Sequence, residues 1–132
     1  MTSMTTELTV LGWSVVLFAI HMMVQSAPAL RDQGLAFNAG PRDDPKPPLG
    51  KTAERAKRTF ENFKETYPVF IALALGLAIT GRGGGLAATG AWLWFGARIV
   101  YLPLYVFGIP WLRTLAFGAA IAGLVIMLVR FL

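Results

Sequence analysis

Four apolar stretches, at about residues 8–29, 52–80, 86–107 and 111–132, take up most of this 132-residue chain. A helix rises 1.5 Å per residue, so each stretch can cross the roughly 30 Å hydrocarbon core of a bilayer as a helix of about 20 residues or more. The connections at 81–85 and 108–110 are too short for anything but antiparallel neighbours. The fold class read from this spacing is all-α: an integral membrane four-helix up-down bundle, with residues 1–132 as a single membrane domain. An apolar content of 55% and a mean hydropathy of +0.58 agree, being too apolar for a soluble domain of this size.

The connection at about 30–51 is different. Pro41, Pro45, Pro47 and Pro48 with Gly40 and Gly50 argue against helix, and its charges argue against lipid, so it reads as an exposed loop. Eight of the twelve Lys and Arg residues lie between Arg31 and Lys64, and Arg113 shares their side, whereas Arg82 and Arg130 lie opposite. Nine basic residues against two place the loop in the cytoplasm and both termini outside. The same distribution explains the net charge of +5 as a membrane-orientation signal and leaves no case for a nucleic-acid partner. Glu7, the absence of a basic n-region and Pro28 after Ser26-Ala27 argue against a cleaved leader.

The chain has no Cys and a single histidine, His21. Thiolate nucleophiles, Fe–S ligation and a His-rich zinc site are therefore excluded from its own inventory, and no metal is expected. Sulfur chemistry would need a thiol carried by a ligand. His21 and Gln25, four residues apart, read as hydrogen-bonded contacts between helices. The run 81–85 lacks the Gly-Lys-Ser/Thr ending of a phosphate loop and reads as a turn.

The candidate site residues stand on two spans and the start of a third. Arg58, Asn62 and Glu65, four and then three apart, share a helical face just before Tyr67-Pro68, where the second span enters the apolar core. Arg98, Tyr101 and Tyr105 form a similar stripe on the third span, and Arg113 opens the fourth. Arg98 lies nine residues before Phe107, roughly 14 Å into the membrane, where a charge must face protein or water rather than lipid. A structural reading stands beside the functional one: Arg58, Glu61 and Glu65 as a salt-bridged helix entrance, the tyrosines as packing or interfacial residues, and Arg98 paired with an acid such as Glu65.

The run from Arg58 to Pro68, with Arg98 to Tyr105 and Gly108 to Arg113 downstream, resembles the MAPEG family, the membrane-associated proteins of eicosanoid and glutathione metabolism. The resemblance covers about residues 41–132. It implies a homotrimer that binds glutathione between neighbouring subunits on the cytoplasmic side. On this resemblance Arg58, Asn62, Glu65, Tyr101 and Tyr105 would hold the tripeptide, and Arg113 would lie beside its thiol, with Arg98 completing the third-helix motif. Thr59-Phe60-Glu61 departs from the pattern of the eicosanoid members, and the interval from Tyr105 to Arg113 is one residue longer than in the leukotriene synthase pattern. The short chain looks more like the bacterial members, similar to microsomal glutathione transferase.

Glutathione has two carboxylates, an ammonium and a thiol, and the residues above supply cations, an anion and neutral hydrogen-bonding groups to match. The expected function is a glutathione-dependent transferase or peroxidase acting on lipophilic electrophiles or lipid hydroperoxides. Its partners would be the bilayer, glutathione, a hydrophobic small molecule and further copies of itself. The alternatives are a catalytically silent protein that binds a thiol or lipid, and a small proton-coupled exporter, for which the first span lacks a central acid.

Overall fold

A computed structural model describes residues 4–41, 43 and 47–132. Two of the basic residues counted above, Arg42 and Lys46, and the loop residues Asp44 and Pro45 lie outside the described residues. The described residues form five helices and no strand: α1 (Thr6–Gln33), α2 (Leu35–Ala39), α3 (Lys51–Thr80), α4 (Leu86–Val106) and α5 (Pro110–Phe131). The fold is all-helical, as expected. α1, α3 and α5 are long and apolar enough to cross a membrane. At 21 residues α4 has the length, about 31 Å, but it is not one of these three candidate spans.

The helix ends follow local chemistry. Thr5 caps α1 by accepting from the Leu8 N–H at 3.2 Å, which satisfies one of the donors a helix start leaves free. α3 ends at Gly81, whose left-handed φ of +70° is easy only for glycine. The Arg82 N–H then closes back on the Leu77 carbonyl at 3.0 Å. The segment expected to be loop from residue 30 needs correcting at its start. α1 continues past Pro28 to Gln33, since 29–33 contain neither Pro nor Gly, and α2 forms because 35–39 contain neither as well. The loop returns to α1 through two side chains. Asp32 accepts from the Gly50 N–H at 2.8 Å, and Gln33 donates to the Pro47 carbonyl at 3.0 Å.

α3 and α4 are central, each packing against the other three long helices. Between helices in lipid there is little hydrophobic gain, so close van der Waals fit has to supply the attraction. On one side it comes from rings: Phe70 stacks on Trp94 at 4.0 Å, and Tyr67 and Phe63 extend the stack toward the candidate site. On the other it comes from missing side chains. A Cβ on Gly123 would stand 2.6 Å from the Gly90 carbonyl oxygen and 2.7 Å from the Trp94 nitrogen, so the backbones of α4 and α5 touch.

α1 turns Glu7, Ser14 and His21 inward, seven residues apart and all buried. Ser14 hydrogen-bonds Tyr67 at 2.8 Å, and Glu7 accepts from the Gly84 N–H at 2.7 Å, tying α1 to the α3–α4 turn. His21 does not make the expected hydrogen bonds. Its ring lies 4.6 Å from that of Phe63, stacked, and its nitrogens meet no partner among the described residues.

Candidate functional site

A cavity of about 250 Å³ opens between α3, α4 and α5, lined by Asn62, Tyr101, Tyr105, Arg113, Thr114 and Phe117. Four of its six residues are among those singled out from sequence. The helical stripe on α4 brings Tyr101 and Tyr105 together with ring centres 5.6 Å apart. Arg113, one turn into α5, lays its guanidinium 4.6 Å over the Tyr105 ring. A planar delocalised cation on an aromatic face is held in orientation as well as in place.

Arg98 lies behind the cavity wall and is wholly buried. One nitrogen, Nη1, donates to Asn62 Oδ1 at 2.6 Å, and the guanidinium lies 4.5 Å over Tyr101 and 5.4 Å from the ring centre of Phe63. Its Nε and Nη2 have no acceptor among the described residues. The pairing with Glu65 that a purely structural reading anticipates is not made, because Glu65 is exposed while Asn62 faces α4. None of the lining residues is a carboxylate, and Arg113, with Arg98 buried behind the wall, brings positive charge to the cavity. Charges there are felt far more strongly than in water. Such a site suits an anion, with Arg113 as the cation in direct reach of it.

The polar ladder on α3 divides. Asn62 faces the cavity, whereas Arg58 and Glu65 are exposed. At about 100° per residue Arg58 and Glu65 stand roughly 20° from each other, and both are displaced to the same side of Asn62 by about 40–60°. Arg58 pairs with Glu54 at 3.2 Å rather than with Glu61 or Glu65. Both partners are well exposed, so the pair adds less than about 1 kcal/mol. Two lining residues, Thr114 and Phe117, escaped the sequence reading. Phe117 stands four residues after Arg113 on α5, the only pattern that could have flagged it.

The MAPEG sequence profile matches residues 10–132. The chain belongs to the MAPEG family. The match runs over nearly the whole chain and takes in α1, beyond the 41–132 stretch on which the resemblance rested. MAPEG is a membrane family whose members include glutathione transferases and peroxidases, and the apolar helices accord with that setting. Comparison with curated proteins and with solved structures gives no match. Among the described residues no group of three or more His, Asp or Glu side chains is placed to hold a metal.

Proposed function

We propose that this MAPEG protein is a glutathione-dependent membrane enzyme that transfers the tripeptide to lipophilic electrophiles or uses it to reduce lipid hydroperoxides. The observation that carries this reading is the electropositive cavity in which Arg113 lies on Tyr105 while Asn62, held by Arg98, forms the adjoining wall. A carboxylate of the tripeptide would meet the Asn62 amide, which the buried Arg98 holds from behind the wall. A thiol like that of cysteine has a pKa of about 8.5, and half-ionisation at neutral pH needs about 2 kcal/mol of differential stabilisation. A single cation about 4 Å away at an effective dielectric near 20 supplies up to about 4 kcal/mol, before the cost of its own dehydration. Arg113 is assigned that role. The thiolate then attacks the electrophile, and Tyr105 or Tyr101 is placed to hydrogen-bond the charge that develops on the leaving or accepting atom.

Arg58 and Glu65 are exposed on α3 and do not line the cavity of their own chain. They fit a site completed by a neighbouring copy, and on the family resemblance we assign a homotrimer with glutathione between subunits. The loop side is assigned to the cytoplasm and both termini to the outside on the basic-residue count. Calorimetric titration of the purified protein in lipid nanodiscs with glutathione and competing thiols, followed by turnover of a generic aromatic electrophile and a lipid hydroperoxide, tests the reading. Binding with turnover is expected. Binding without turnover would identify a silent ligand-binding member, and failure to bind any thiol would remove the proposal.

A further inference from the structure

Arg55 enters the sequence reading only as one positive charge among eight. In the fold its guanidinium is packed against the turn that joins α4 to α5. Nη1 points at the Val106 carbonyl oxygen at 3.5 Å, the outer limit of a hydrogen bond. A Cβ added to Gly108 would stand 2.8 Å from its Cζ and Nη1 and 3.0 Å from its Nη2, so the group rests directly on the glycine.

The sequence of the turn creates the need for this contact. A helix carbonyl normally accepts from the N–H four residues on, but for Val106 that residue is Pro110, which has none. The other amides of the turn are committed elsewhere: Phe107 to Pro103, Gly108 to Tyr105 and Ile109 to Leu104. Arg55 is thus the donor that reaches a carbonyl the backbone cannot satisfy, and its charge lies at the C-terminal end of α4, where the helix dipole favours a cation. Gly108 has φ +74°, which lets the chain turn and leaves room for the guanidinium.

The turn separates two cavity residues, Tyr105 on the last turn of α4 and Arg113 on the first turn of α5. We propose that Arg55 is a positioning residue: by clamping the 106–108 turn it holds Arg113 over the Tyr105 ring. Arg55 also stands seven residues before Asn62 on α3, so one helix face carries both a wall of the cavity and the clamp on its opposite side. The geometric claim is independent of the ligand, while its consequence for a bound thiol rests on the function proposed above.

The test uses the full chain in nanodiscs, with Arg55→Ala and Arg55→Lys as the deciding variants and Gly108→Ala beside them, which displaces the guanidinium without changing any charge but also strains the turn at φ +74°. Hydrogen exchange followed by mass spectrometry reads the amides of 107–113. Exchange at least ten-fold faster is expected in Arg55→Ala and Gly108→Ala, with α1 and the 81–85 turn unchanged and partial recovery in Arg55→Lys. The pH at half-maximal turnover with glutathione should rise by about half a unit or more in the two disrupting variants and return toward the original in Arg55→Lys, with little change in KM. Unchanged exchange at 107–113 overturns the clamp. Faster exchange with an unmoved pH profile overturns the positioning role, leaving Arg55 a purely structural contact. If the unmodified protein neither binds nor turns over glutathione, the proposed function falls, and exchange alone decides whether Arg55 clamps the turn.

Discussion

Replacing Arg113 by Ala removes the cation that lies 4.6 Å over Tyr105 at the mouth of the cavity and leaves no other charge among the lining residues. Of the roughly 4 kcal/mol of attraction available at about 4 Å, about 2 kcal/mol should survive the dehydration of a half-buried guanidinium, so the bound thiol's pKa should rise by about 1.5, from about 7 to about 8.5. The sign follows from the anion being the form the cation stabilises. At pH 7 the thiolate fraction then falls from about one half to about 3%, roughly sixteen-fold. A more basic thiolate is also more nucleophilic, by roughly five-fold for a Brønsted slope near 0.45, so turnover at pH 7 should fall only about three-fold. The two pH–rate curves should cross near pH 8, above which the variant is faster. Ultraviolet absorbance of the bound thiolate against pH, paired with turnover of a generic electrophile, reads both quantities. An unchanged thiol pKa would refute the assignment of Arg113, and a large loss of rate at every pH without crossing would show that the arginine acts on the transition state instead.

Arg58→Ala and Glu65→Gln, both exposed in the single chain, should weaken glutathione binding by about ten-fold each with kcat little changed, as titration and steady-state kinetics would show. Gly123→Ala should cost about 1–3 kcal/mol by driving α4 and α5 apart, whereas Gly118→Ala, which meets nothing within 4 Å, should be near neutral; thermal unfolding in mild detergent separates the two. Because the natural chain has no Cys, single cysteines at the exposed positions Ala36 and Leu86 report orientation cleanly. An impermeant thiol reagent applied to intact cells should label Leu86→Cys and spare Ala36→Cys, and the reverse would invert the assigned topology.

Local chemistry carries much of this protein. The positions of the long helices were legible to within about a residue from residue 51 onward, because apolar runs of membrane length are bounded by Gly81, Gly85, Gly108 and Pro110, whose backbone preferences need no tertiary help. Membership of the family was legible as a resemblance carried by the residues from Arg58 to Pro68, Arg98 to Tyr105 and Gly108 to Arg113, and the profile match over 10–132 agrees with it. Contacts between helices were not. Spacing places Arg58, Asn62 and Glu65 on one broad face, but the rotation of α3 against α4 turns only Asn62 into the cavity and gives Arg98 an amide where a carboxylate was anticipated. The backbone contact of Gly90 with Gly123 sets how near α5 comes to α4, and with it how Arg113 meets Tyr105 across a turn longer by one residue than the pattern it resembles. Arg55 reaches that turn across 51 residues of chain, and His21 finds Phe63 instead of a hydrogen-bond partner. Helix rotation and interhelix distance are settled by many small contacts far apart in sequence, so no local pattern records them.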